Sequence, residues 1–139
     1  MSYVLEIATS GEVDIIDLTP RVNEAIAGNS DGLCVVFMKH TTAALTLASL
    51  EEGAPQDLRT VLPMLVPQID WQHLPPEHNT GHLISALIGA SVMVPVREGR
   101  LDLGTFQKLV LIDFGPNSQY GDLQSPTRRT VEVHFLPFA

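Results

Sequence analysis

Two segments near the N terminus place apolar side chains on one face. Residues 3–9 follow this pattern, residues 12–17 repeat it, and Ser10-Gly11 separates the two. A period of two is typical of a strand with one buried face. We therefore predict a β-hairpin in this part of the chain.

Other apolar patterns predict a buried strand and three helices. The continuous apolar run 32–38 is typical of a strand buried on both faces, and 43–47 extends it or pairs with it. Helical spacing of apolar residues recurs in three places. The predicted helices run from an N-cap at Thr19, with Pro20 next, to Gly28; from near Gly53 to before Pro67; and from Asn79 or Thr80 to Gly89.

The second half of the chain is mostly strand-like. A loop is predicted over 67–80, and the strand-like segments are 91–96, 101–103, 106–114 and 130–136. Strands outnumber helices and the connections look short, which favours antiparallel sheet over a doubly wound one. We predict a single α+β domain over 1–139 with about three helices.

Composition narrows the classes of function. The net charge of -8 argues against binding of nucleic acid, which depends on clustered Lys and Arg. The only cysteine, Cys34, lies in an apolar run, so neither an intrachain disulfide nor a cysteine-based zinc cluster is expected. No apolar run approaches the length that spans a bilayer, and no signal peptide is visible. We expect a cytoplasmic protein that does not bind membranes.

Histidines are the first candidates for chemistry. His40 ends a predicted strand and precedes two hydroxyl residues, where it could bind a metal, exchange protons or bond a backbone carbonyl. His78 and His82 are four residues apart, so a helix that includes both would place their rings on one face, close enough to share a metal. The alternative is an exposed His78 and a hydrogen-bonded core His82.

Arginines and one carboxylate are the next candidates. Arg128-Arg129 opens the final predicted strand, where alternation sends the two guanidinium groups to opposite faces. One could grip a phosphate while the other pairs with a carboxylate, or both could be exposed. Asp57, on the polar face of the second predicted helix, is either an oxygen ligand or a solvated charge.

Several spaced motifs resemble the YjbQ family of small proteins. The longest is SVMVPVREGRLDLGTFQ at 91–107, and the others match in order over about Val13 to Leu136. They are a His-Thr-Thr-Ala block at His40, an aspartate at Asp57, an aromatic-x-His at Trp71 to His73, a histidine opening an apolar helix at His82, and the paired arginines at Arg128.

The resemblance implies a homotrimer and weak thiamine-phosphate synthase activity, which joins a pyrimidine pyrophosphate to a thiazole phosphate. Such a reaction needs a divalent ion and arginines to neutralise the departing pyrophosphate. On this basis we expect a small phosphorylated substrate and a divalent metal, zinc or magnesium. The expected metal ligands are His40, His73, His82 and Asp57; the catalytic residues His40, His82 and Arg128; and the phosphate ligands Arg128, Arg129, Thr105 and Gln107.

Two motifs depart from the family pattern. Ala48-Ser49 stands where the family has Asn-Glu, and Phe106 replaces the tryptophan of the Gly-Thr-Trp-Gln motif. Either Glu51 substitutes for the family glutamate or the site is altered. This leaves open a second hypothesis, a trimeric protein that binds metal or phosphate without physiological catalysis.

Overall fold

The structure is a computed structural model that describes residues 1–10, 13–67, 69–73, 76–114 and 128–139, with the backbone alone at positions 76 and 77. Three α-helices lie in these ranges: α1 (Thr19–Ile26), α2 (Ala54–Val61), which a 3-10 helix (Leu62–Leu65) continues, and α3 (Pro76–Ile88). The strands there are β1 (Ser2–Ala8), β2 (Asp14–Asp17), β3 (Gly32–Met38), β4 (Ala43–Ala48), β5 (Ser91–Arg97), β6 (Arg100–Leu101), β7 (Lys108–Asp113) and β8 (Arg128–Pro137).

The strands form two antiparallel sheets. The larger sheet has the order β1-β8-β3-β5-β6, and the smaller has the order β2-β7-β4. Every pairing is antiparallel, and strands distant in sequence become neighbours. The predicted α+β class, with antiparallel sheet and three helices, is therefore confirmed.

The smaller sheet lies between the larger sheet and a helical layer. One side of it packs through Leu45, Leu109 and Leu111 against the inner face of the larger sheet. Its other side packs through Val110 and Ile112 against residues of α3 and of the 3-10 helix. Consecutive residues of β7 are thus buried on opposite faces, which is why this strand reads as a continuous apolar run.

The prediction that β3 is buried on both faces is wrong. Cys34 and Val36 face the core, whereas Phe37 is 39% exposed and Val35 is half-buried. The strand lies in the larger sheet, whose second face is not covered by any described part of the chain. An apolar run shows that a strand is apolar on both faces, and here one apolar face remains accessible.

The predicted N-terminal hairpin is also wrong, although both strands exist. β1 pairs with β8 in the larger sheet, and Ser2 lies opposite His134. β2 pairs with β7 in the smaller sheet, and Asp17 lies opposite Val110. Strands this far apart in sequence pair because the whole core is buried together. The alternation within one segment does not specify which strand will be its partner.

The helix boundaries differ most from expectation at α3. This helix begins at Pro76, inside the stretch predicted as a loop, so His78 and His82 both belong to it. In α1, Thr19 is the first helical residue instead of the N-cap, and its hydroxyl oxygen accepts a bond from the N–H of Leu109. No described helix combines the length and the apolar character needed to cross a membrane.

Candidate metal centre

The connection between β3 and β4 carries the His-Thr-Thr block from the larger sheet to the smaller one. The N–H of Thr130, in β8, donates to Nε2 of His40 at 3.0 Å. The carbonyl of Thr42 accepts a bond from the N–H of Phe114, just after β7, at 3.1 Å. Both sheets therefore hold this connection in place, directly beside α3.

Three histidines converge next to this connection. His78 and His82 lie one turn apart on α3, and His73 comes from the segment before the helix. One ring nitrogen of each lies within 4.8 Å of the others. The ring centroids of the three pairs are 4.3 to 5.2 Å apart. We call His73, His78 and His82 the histidine cluster.

A backbone carbonyl sets the orientation of His82. Its Nδ1 lies 3.2 Å from the carbonyl oxygen of Thr41, which can only accept, so Nδ1 carries the proton. The lone pair is then on Nε2, which lies 2.7 Å from Nε2 of His78, and His78 donates in this contact. A backbone carbonyl that accepts the N–H of the other ring nitrogen is usual for histidines that bind metal, because this bond fixes the tautomer and directs the free nitrogen.

The surroundings of His78 and His82 favour the neutral form of both rings. Burial lowers the pKa of His78 below 6.5, and the neighbouring His82 and His73 lower it further. Burial, and then His73, also lowers the pKa of His82, while the hydrogen bond to Thr41 opposes the shift. Neutral imidazole is the form that binds metals, so the lowered pKa values of His78 and His82 favour binding of a cation.

His40 and Asp57, two of the four metal ligands expected from the sequence, are not in the histidine cluster. Nε2 of His40 is engaged by the backbone of β8, and Asp57 lies exposed on α2. Burial lowers the pKa of His40, and Arg129 lowers it further, whereas Asp113 and Glu6 raise it.

His40 does line, with His82 and Ser85, a cavity of about 430 Å³. It is a neighbour of the cluster.

The expected phosphate ligands do not come together within the chain. Arg129 is 2% exposed and forms a buried, two-pronged ion pair with Asp113 through Nε (2.9 Å) and Nη2 (2.8 Å). The guanidinium group of Arg129 is therefore already bound to a carboxylate, which argues against Arg129 as a phosphate ligand. Arg128 is exposed, so the two arginines do point to opposite faces.

Thr105 and Gln107 lie beyond the other end of β7. The strand separates them from Asp113 and Arg129 by about 17 Å. The side-chain oxygen of Gln107 accepts a hydrogen bond from the N–H of Gly104 at 2.8 Å, which stabilises the turn into β7. This local bond accounts for the Gly-x-x-Gln spacing without a ligand.

His78 is the residue that the expected ligand set missed. The signal was its spacing of four from His82, which predicts proximity once both lie in one helix. The predicted start of α3 at Asn79 or Thr80 excluded His78 from that helix. The proline pair at 75–76 pointed to a loop, although proline is well tolerated in the first turn of a helix.

Comparison with known proteins identifies relatives that share most of the sequence. A UPF0047 protein of Archaeoglobus fulgidus is 36% identical over 118 residues, which cover 83% of this chain and 93% of that protein. A UPF0047 protein of Mycobacterium tuberculosis is 35% identical over 125 residues, which cover 88% of each chain.

Solved structures share the fold. A YbjQ-like protein of unknown function from Sulfolobus solfataricus matches with a TM-score of 0.83 and 26% identity, over 99% of this chain and 96% of that one. A conserved hypothetical protein from Thermus thermophilus matches with a TM-score of 0.80 and 32% identity, over 96% and 99%.

These relatives correct the expected activity. They are known as UPF0047 or hypothetical proteins, one of them expressly of unknown function, and they provide no support for a thiamine-phosphate synthase. The expectation of that transferase reaction is therefore wrong. Within one chain, two of the expected phosphate ligands are also far apart, since Arg129 is in a buried ion pair and Gln107 is in a distant turn.

The family assignment itself is confirmed. The family profile described as "UPF0047 protein YjbQ-like" matches residues 3–137, nearly the whole chain. The chain therefore belongs to the YjbQ-like UPF0047 family.

Proposed function

We propose that the protein binds a divalent transition metal, zinc first among them, through the histidine cluster. The observation that carries this proposal is the convergence of three ring nitrogens within 4.8 Å, one of them directed by the carbonyl of Thr41. Three imidazole donors suit zinc and related metals, whereas magnesium prefers oxygen ligands. Of the two metals expected from the sequence, the proposal therefore names zinc and not magnesium.

The three ligand nitrogens would have to shift relative to one another to accommodate the ion. Zinc–nitrogen bonds of about 2.0–2.1 Å in a tetrahedral site put two ligand nitrogens roughly 3.3 Å apart. For both Nε2 atoms to bind the ion, His78 would have to carry its proton on Nδ1, and the 2.7 Å between Nε2 of His78 and Nε2 of His82 would have to widen by several tenths of an ångström. His73 is exposed and comes from outside the helix, so it can move toward the ion.

Three histidines leave a fourth position on zinc open. Protein sites with three ligands and one open position bind water or a small anion there, and zinc lowers the pKa of such a water toward neutrality. A cavity with His40 and Ser85 in its wall lies beside one of the three ligands, His82. The proposal is a metal centre able to bind a small oxygen ligand.

Metal titration tests this proposal. The chelator-treated protein is titrated with Zn²⁺, Co²⁺ and Mg²⁺, and the lone tryptophan, Trp71, two residues before His73, reports binding by fluorescence. We expect one Zn²⁺ or Co²⁺ per chain and no Mg²⁺. His82→Ala should abolish binding, and His134→Ala, on the larger sheet, is the matched control. Wild-type protein without zinc affinity, or equal affinity in both variants, would overturn the proposal.

We also propose that copies of the chain associate through the outer face of the larger sheet. The family resemblance implies a homotrimer, and this face is the surface we assign to that association. Directly paired residues share a face of the sheet, and this face carries exposed apolar side chains. They include Val4 (63% exposed), Phe37 (39%), Met93 (66%) and Leu136 (50%). Exposed apolar side chains on one face of a sheet favour a symmetric interface, although Glu132 lies between Val4 and Phe37 on this face.

A further inference from the structure

We propose that Thr42 and Arg129 are positioning residues for His82, an inference that rests on the metal site proposed above. Neither residue is a member of the histidine cluster. They hold the backbone segment whose carbonyl orients the ring of His82, and the burial of Arg129 therefore has a functional consequence as well as a structural one.

The ion pair of Arg129 and Asp113 is a fixed point in the core. Its side chains are 2% and 1% exposed, and two nearly parallel hydrogen bonds join them. A two-pronged arginine–carboxylate pair in such surroundings defines the position of the guanidinium group in two directions. Nη2 of Arg129 therefore has little freedom to move.

Thr42 connects this fixed point to the β3–β4 connection. Nη2 of Arg129 donates to the hydroxyl oxygen of Thr42 at 3.1 Å and approaches its carbonyl at 3.5 Å. The same carbonyl accepts the N–H of Phe114. Both the side chain and the backbone of Thr42 are held, so the peptide group that precedes it, with the carbonyl of Thr41, is held as well.

α3 docks on the same segment from the other side. Nδ1 of His82 donates to the carbonyl of Thr41, and the hydroxyl of Ser85, one turn later, donates to the carbonyl of Ala43. Gly81 permits this approach, because a Cβ at that position would lie 3.2 Å from Cβ of Phe114. Three consecutive carbonyls, of Thr41, Thr42 and Ala43, are thus bound by His82, Phe114 and Ser85.

Metal ligation is sensitive to such positioning. Ligand distances have to agree with ideal values to within about 0.2 Å. Replacement of outer-shell partners typically weakens metal binding about 10–100-fold. If Thr41 is displaced, the ring of His82 loses the acceptor that keeps its Nε2 directed at the cluster. Thr42 contributes the hydroxyl that accepts the N–H of Arg129. Serine at this position would keep that hydroxyl and should therefore preserve metal binding.

The test compares Thr42→Val with Thr42→Ser in the full chain, titrated with Co²⁺. Valine keeps the shape and removes the hydroxyl, and serine keeps the hydroxyl. We expect Thr42→Val to weaken Co²⁺ binding about 10–100-fold and to change the visible Co²⁺ spectrum, whereas Thr42→Ser stays close to wild type. A merely structural role would lower the melting temperature and leave affinity and spectrum unchanged, which would overturn the inference.

The outcomes separate the two proposals. If wild-type protein does not bind Co²⁺ or Zn²⁺, the metal site fails and this inference fails with it. If wild type and Thr42→Val bind equally, the metal site stands and the positioning role is refuted. Should Thr42→Val not fold, the double variant Asp113→Asn/Arg129→Gln replaces it, because it removes the bond to Thr42 without leaving a buried unpaired charge. The same loss of affinity is expected, and unchanged affinity overturns the inference.

Discussion

His78 and His82 face each other across one turn of α3, with their Nε2 atoms 2.7 Å apart. Removal of a cluster histidine should therefore weaken zinc binding more than the roughly 10–100-fold typical of outer-shell changes. We expect this for His78→Ala as much as for His73→Ala or His82→Ala. His40→Ala and Asp57→Ala should retain most of the affinity, since neither residue is in the cluster. Calorimetric titration of the five variants checks this, and strong binding by His78→Ala would exclude His78 as a ligand.

The lowered pKa values of His78 and His82 predict how the stability of the metal-free protein depends on pH. Their native pKa values lie below 6.5, whereas the unfolded chain titrates near that value. Below about pH 6.5 the unfolded state thus takes up protons that the native state does not, and the free energy of unfolding falls. Urea unfolding between pH 5 and pH 8 measures it.

The double variant His78→Gln/His82→Gln serves as the control for this pH dependence. It removes two of the groups responsible, so its free energy of unfolding should fall less between neutral and acidic pH than that of wild type. His40, whose pKa is also lowered, remains and retains part of the effect. An identical pH dependence in both proteins would show that these two histidines do not titrate differently on folding.

The buried ion pair of Arg129 and Asp113 predicts an asymmetric mutational response. Arg129→Met leaves a carboxylate with 1% exposure and no cation, which should lower the free energy of unfolding by about 3–5 kcal/mol. The double variant Arg129→Met/Asp113→Leu removes both charges and should recover much of that loss. Urea unfolding gives the values.

Arg97 provides a matched comparison. It pairs with Asp102 at 3.4 Å, but the two side chains are 73% and 45% exposed. Such a pair contributes about 0–1 kcal/mol, so Arg97→Met should barely change the unfolding midpoint. Equal losses in Arg97→Met and Arg129→Met would mean that burial does not determine the contribution of these arginines.

The strands were easier to predict than their pairing. The limits of β3, Gly32–Met38, follow directly from an apolar run between turn residues. The partners of β1 and β2 do not, because they lie more than 90 residues away and are selected by the core as a whole. Local alternation determines which face is buried and not which strand lies alongside.

Much the same holds for the site. The i, i+4 spacing of His78 and His82 is a local property of the chain and was visible once both were placed in a helix. The contact of His82 with Thr41 joins residues 41 positions apart, and it depends on how α3 docks on the smaller sheet. Likewise, the sequence indicated an arginine–carboxylate pair only as one of several possible roles for Arg128 and Arg129. The partner, Asp113, lies on another strand, so no local pattern identifies it.

Association through the larger sheet is tested by Met93→Asp. Met93 is 66% exposed on the outer face, opposite Val35, whose other neighbour is His134. A carboxylate there would be buried without a partner in any interface centred on this face, and its desolvation disfavours association. Light scattering should show a mass above that of the monomer for wild type and a shift toward the monomer for the variant.

Leu87→Asp is the control for that experiment. Leu87 is even more exposed, at 74%, but it lies on α3, away from the larger sheet. The same charge placed there should leave the assembly unchanged, since an exposed aspartate keeps its water. Thermal unfolding of both variants separates loss of association from loss of folding. A monomeric wild type, or dissociation by Leu87→Asp and not by Met93→Asp, would refute this face as the interface and move the search to the helical layer.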